Sequence, residues 1–296
     1  MIHEMKAHVI AALQQIEESA DRGIWDAHHG CAAIAGALLC SEGLVDMNST
    51  RTVEQLAAPF APLADYSPKT AERSGPPLTF DIFATKLLAE LAIAADEPKE
   101  LRHEVIYSAY VLEALDSFEI TPWESLLESV TRLVLKIKAS GPGWITINGK
   151  NELCALQEAD ESTGADCWSE FMAFDRPLPM EIGDMQLGHL LTHGHAITLL
   201  TKFGSVALAR DLNIAYRKRL RGLRLANREQ TDKSPLPLRQ IDPRGKPYWS
   251  AAGELGNMHG HVLKYAYSFL DLRRNRIRPE DLESFGRIVW ANKNPL

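Results

Sequence analysis

Hydrophobic positions recur at helical intervals along most of the chain. Ala7, Ile10, Ala11, Leu13 and Ile16 follow three- and four-residue steps, which puts them on one face of a helix. An alanine-rich apolar run from about Trp25 to Glu42 predicts a second helix, with Gly43 as its C-cap. Ser49-Thr50-Arg51-Thr52-Val53-Glu54-Gln55 has the character of a capping box opening a short third helix, which Pro59 and Pro62 close. Two longer apolar-periodic segments run from Phe80 to Phe118 and break near Asp96-Glu97-Pro98. Thr121-Pro122-Trp123-Glu124 then offers a threonine cap, a first-turn proline and a following acid. Helical period resumes over 184–225, again near 254–272, and after Arg278-Pro279-Glu280. The one strand signal is Gly143-Trp144-Ile145-Thr146-Ile147-Asn148-Gly149, read as an arm of a small hairpin near 144–150. Residues 151–180 are acidic and irregular and form the candidate hinge. They lack a linker composition, so the pattern predicts a single all-α domain over 1–296, a multi-helix bundle with one small hairpin.

Composition narrows the function classes. With 45% hydrophobic and 24% charged residues, the chain has the make-up of a soluble globular protein. No stretch reaches the ~18–20 apolar residues of a membrane span. No apolar signal core follows Met1-Ile2-His3-Glu4-Met5-Lys6. Acids outnumber bases 39 to 32, and a net charge of −7 disfavours polyanions on average. Four cysteines without a CxxC pair cannot make a disulfide framework. The expectation is a reduced, cytoplasmic protein with a small-molecule substrate, no nucleic acid and no membrane partner, and with room for a homo-oligomer. Gly141-Pro142-Gly143 and Gly253-Glu254-Leu255-Gly256 lack phosphate-loop spacing, so there is no nucleotide fingerprint, and no GxSxG elbow is present. Cys31 and Cys40, on an alanine-rich helix, read as small core residues. Arg217, Lys218, Arg219, Arg221 and Arg224 read as a solvated helix face. Arg273, Arg274, Arg276 and Arg278 follow a helix end, where cations suit the macrodipole.

The chemistry concentrates in histidine. Of ten histidines, eight fall at His28-His29, at His103, in the group His189, His193 and His195, and at His259 with His261. A single buried histidine is most often a hydrogen-bonded packing residue. Four helices each bringing histidine out of alanine- and leucine-rich faces points instead to a metal site assembled inside a bundle. His189 and His193 are one turn apart and share a face, but His-Leu-Leu-Thr-His lacks the glutamate of a zinc protease. His193 and His195 lie roughly 200° apart around a regular helix, so one of them is spare. His261 and Lys264 share a face. Lys264 lies in an apolar setting that makes an ammonium costly, so it snorkels to solvent or serves as a base or a carbamate ligand. Tyr107 and Tyr110, on the face of His103, line either the core or an aromatic pocket. Asp26 is placed as an N-cap or as a carboxylate orienting a ligating imidazole.

His28-His29-Gly30-Cys31-Ala32-Ala33-Ile34-Ala35, the H-x-x-I-x-x-x-Y-x-L-E pattern from His103, Thr192-His193-Gly194-His195-Ala196-Ile197, and H-V-x-K from His261 occur in that order. Together they resemble the questin oxidase-like family, helical proteins with a histidine-rich iron site that act on polyketide-derived aromatic rings. The matching segments cover about a fifth of the chain. The resemblance implies iron held by His29 (or its neighbour His28), His103, His195 and His261, with Lys264 alongside. Tyr107 and Tyr110 would be substrate-pocket residues. The expected activity is a non-haem iron oxidoreductase acting on an aromatic or polycyclic small molecule. The alternatives are a hydrolase or lyase on the same histidines, with zinc as the metal, and a non-catalytic helical binding protein.

Overall fold

The computed structural model describes residues 2–23, 25–60, 75–94, 102–139, 174, 185–204, 206–229, 240–251, 260–274 and 276–291. The anticipated hairpin near 144–150, the hinge at 151–180 (Phe174 apart) and His259 lie outside them. The described residues form eleven α-helices and no strand. These are α1 (Ile2–Arg22), α2 (Ala27–Ser41), α3 (Met47–Ala57), α4 (Phe80–Ala94), α5 (His103–Ser117), α6 (Glu124–Ala139), α7 (Met185–Phe203), α8 (Val206–Glu229), α9 (Lys246–Ala251), α10 (His261–Arg273) and α11 (Pro279–Ala291). A short 3-10 turn, Ala58–Phe60, ends α3. The protein is all-α. No described helix is long and apolar enough to cross a membrane.

The helices sort into two kinds, and the sorting positions the site. α1, α3, α6 and α8 have one apolar stripe and an outward polar face. In contrast, α2, α5, α7 and α10 have runs buried on every side: Cys31 to Leu39, His103 to Leu115, Leu187 to Ile197 and His261 to Leu270. A helix apolar all round has no face to give to water and goes to the centre. These four pack in a closed ring, α2 on α5, α5 on α7, α7 on α10 and α10 on α2. The amphipathic α1, α3, α6 and α8 bury their stripes against the outside of that ring, α1 on α2 and α6, α3 on α2, α8 on α7.

Helix boundaries follow capping chemistry, with corrections. Gly43 takes the left-handed conformation after α2, and the Gly43 and Leu44 amides close back onto the carbonyls of Cys40 and Leu39 in a Schellman motif. α3 is capped by Asp46, whose carboxylate accepts from the Ser49 amide at 2.7 Å. Ser49 is therefore inside the helix, and the expected cap was three residues late. Asp26 occupies the N-cap position of α2 but makes no side-chain cap bond. α6 starts at Glu124, because Trp123 pairs with Pro77 in an isolated antiparallel bridge and its indole donates to Glu17 at 2.8 Å. α11 opens on Pro279, as expected.

Candidate metal centre

Each helix of the inner ring brings histidine to its centre. His28 from α2, His103 from α5 and His189 from α7 offer one ring nitrogen each, and these nitrogens all lie within 4.8 Å of one another. His261 from α10 joins them, its ring 5.1 Å from that of His28 and 4.9 Å from that of His189. All four imidazoles are buried. Burial, together with the Lys264 charge, pushes the pKa of His28 well down, so this ring is neutral with a lone pair to give.

Local structure sets up the convergence. Gly260 precedes His261 at φ 66°, and a β-carbon there would overlap the Ala32 methyl. Only glycine allows both that conformation and that approach of α10 to α2. Gly188, next to His189, has the phenol of Tyr265 packed where a β-carbon would be, which brings α7 and α10 together at the cluster. On α5 the residue before His103 is Arg102 at φ 57° and ψ 38°, a left-handed conformation that costs a non-glycine residue about 1–2 kcal/mol. Its guanidinium pairs with Glu104 at 3.1 Å, both side chains 1% exposed.

Three aromatic rings surround the imidazoles. Tyr107 lies 5.3 Å from His103 and 5.6 Å from His28. Tyr265 stacks on His261 at 5.4 Å. Trp25 stacks parallel to His28 at 5.5 Å and meets His103 edge-on at 5.2 Å. Lys264 is buried one turn along from His261, with its amine in contact with His28 Nδ1. Burial lowers its pKa to about 7. The snorkelling alternative for Lys264 is excluded by this placement.

Of the expected ligands, His103 and His261 lie in the cluster, as does Tyr107 among the pocket residues. His29 and His195 do not, and His28 and His189 stand in their places. His29, one residue round the helix, turns outward to Phe60, 5.5 Å between rings. His195 sits about 240° round α7 from His189. It faces α10 further along, where both its nitrogens are engaged: Nδ1 with Ser268 Oγ at 3.0 Å and Nε2 with Asp271 at 2.9 Å. Tyr110 belongs to that second network. Its hydroxyl reaches the Lys264 carbonyl at 3.4 Å and Ser268 Oγ at 3.3 Å, so it ties α5 to α10. His193 goes to a third neighbour, the Tyr216 ring of α8 at 5.1 Å. Burial, then the charges of Arg102 and Arg219, hold its pKa well below the usual value.

One other expectation is revised. Arg219 is not on a solvated face: it is buried, and burial with the Arg102 charge lowers its pKa to about 10. At the end of α10, where cations were expected, Arg273 pairs with Asp281 at 2.8 Å and Arg274 with Asp271 at 2.7 Å and with Glu42. Cys31 and Cys40 behave as core residues, burial pushing both thiols up to about 12.

Comparison with protein-family models, with curated proteins and with solved structures finds no match to this chain.

Proposed function

We propose that His28, His103 and His189, with His261 beside them, hold a first-row metal ion, iron(II) in the first reading, and that the protein is an oxidoreductase acting on an aromatic or polycyclic small molecule. The observation that carries the proposal is the convergence of three buried imidazoles from three different helices, with a fourth from α10 packed beside two of them. Packing alone does not call for this, since each ring brings a nitrogen that needs a partner once out of water. The donor set fits the ion. Imidazole nitrogens bond a first-row metal at about 2 Å, so three donors around one ion lie about 3–3.5 Å from each other. The 4.8 Å envelope leaves at most about 2 Å for side-chain rotation to close. The resemblance to the questin oxidase-like family belongs to this proposal.

Bound iron(II) would supply dioxygen activation. The chain's own residues do the rest. His28, His103 and His189 face one position inside the ring of helices, with His261 beside them. Tyr107 and Trp25 present aromatic faces beside it, which suits a flat, apolar substrate. Lys264 Nζ, near neutrality, accepts or returns a proton next to the site. Burial keeps water from competing.

Among the described residues no carboxylate joins the three-histidine group, which favours a second reading. An all-imidazole set leaves a dication's charge undiminished, and zinc held this way activates water for hydrolysis or elimination. Elemental analysis of protein purified without chelator, followed by turnover of hydroxylated polycyclic aromatics with and without dioxygen, separates the two. Stoichiometric iron and oxygen uptake support the oxidoreductase. Zinc and oxygen-independent turnover support the second reading. A protein that stays metal-free after iron(II) and zinc reconstitution refutes both.

A further inference from the structure

The buried imidazoles have one described neighbour that faces solvent. Trp25 is 40% exposed, whereas His28 and His103, the two rings it touches, are 1% exposed each. A single exposed tryptophan is ordinary on a protein surface. This one is held in the turn before α2, where the amides of Asp26 and His28 close onto the carbonyls of Gly23 and Trp25. Its indole lies within 5° of parallel to the His28 ring and meets the edge of His103 at 72°. The indole therefore lies against two of the three clustered imidazoles, and its exposed remainder faces the solvent from which a ligand arrives.

We propose that Trp25 is the outer wall and the specificity-determining residue of the histidine site, and that a planar aromatic ligand enters past it and stacks on its indole. The aromatic ligand class rests on the function proposed above. The covering role does not, because it follows from the ring contacts alone. Tyr107, buried against the same His28 and His103 rings, would form a second wall. A flat ring is the shape that two such aromatic walls accept, by offset stacking or edge contact.

Two measurements on the full chain test this with Trp25→Ala and Trp25→Phe. The first is acylation of histidine by diethylpyrocarbonate, mapped by mass spectrometry, and it needs no metal. In the wild type His28 and His103 are expected to react far more slowly than His29. In Trp25→Ala they should react about tenfold faster or more, because uncovering is then local. Trp25→Phe keeps a ring and should stay near the wild type. His193 is buried and does not touch Trp25, so its rate should not change. Equal acceleration at His193 overturns the wall, because the bundle has then loosened as a whole. Unchanged rates at His28 and His103 overturn it as well. The second measurement is equilibrium binding of 2-naphthol to iron-loaded protein. Trp25→Ala should weaken binding about tenfold at unchanged metal content, a loss in the range of one aromatic stacking contact. Equal affinity, or no binding to the wild type, overturns the specificity role. A wild type that takes up no iron refutes the metal reading, while the acylation pattern still decides whether Trp25 covers the cluster.

Discussion

His189 and His195 lie on one helix, are equally buried, and have different assigned roles, so exchanging each for asparagine tests the site directly. His189 contributes one of three clustered donors. Structural four-ligand zinc sites bind with about 10–16 kcal/mol, or about 3–4 kcal/mol per ligand. His189→Asn should therefore weaken zinc or iron(II) binding on the order of 100- to 1000-fold, at about 1.4 kcal/mol per tenfold. His195 instead links Ser268 to Asp271, and one of those bonds goes to a carboxylate. Removing a buried bond to a charged partner costs about 1.5–3 kcal/mol, and a neutral one about 1 kcal/mol. His195→Asn should lose about 2–4 kcal/mol of stability in urea, with metal affinity within about threefold of the wild type. Competition against a chromophoric chelator gives the affinities, and urea unfolding of metal-free protein gives the stabilities. If His195→Asn abolishes metal binding while His189→Asn retains it, the assignment of the centre is wrong.

Three further outcomes follow from particular contacts. Gly188→Ala forces a β-carbon into the Tyr265 ring and should destabilise by about 3 kcal/mol, the upper end for overpacking; a urea midpoint unchanged from the wild type would refute the α7–α10 packing. Glu104→Gln removes the carboxylate paired with the buried Arg102 guanidinium and should cost about 3–5 kcal/mol, as for other broken buried pairs; a cost below about 1 kcal/mol in the same assay would show that the pair is dispensable. Asp271 is held below the usual carboxylate range: burial opposes its charge, but the bond from His195 and the charges of His195 and Lys202 prevail. Its stabilising share is therefore full above its unfolded pKa of about 3.9 and is lost as pH falls through the lower folded value. The destabilisation caused by Asp271→Asn should accordingly be large at pH 6 and shrink towards pH 3, and a penalty constant with pH would contradict the shift.

How much was legible from the chain differs between the outer and inner helices. The stripe of α1, the Schellman end of α2 and the proline start of α11 follow local rules, and residues 2–42 and 279–291 could be read almost as they fold. The chain leaves α2, α5, α7 and α10 without a clear apolar stripe, although α4 shares that pattern and still exposes Ile82 and Ile93. It singles out histidine as the chemistry on those four. His103 stands alone in its stretch of chain and was assigned without ambiguity, whereas His261 has a second histidine, His259, two residues away.

Choosing between His28 and His29, or among His189, His193 and His195, was beyond the sequence. An amphipathic helix announces its inward face, but a helix buried all round has several inward faces and no periodicity to rank them. On α7 three buried histidines reach three different neighbours: His189 the histidine cluster, His193 the Tyr216 ring of α8, and His195 the Ser268–Asp271 pair of α10. Which ring meets which depends on helix rotation. That rotation is set by close approaches such as Gly188 against Tyr265 and Gly260 against Ala32, between residues far apart in the chain. The sequence by itself determined an all-α protein with histidine at its centre. Only the tertiary structure decided which histidines share a point in space, because that is a property of how four featureless helices pack and not of any one of them.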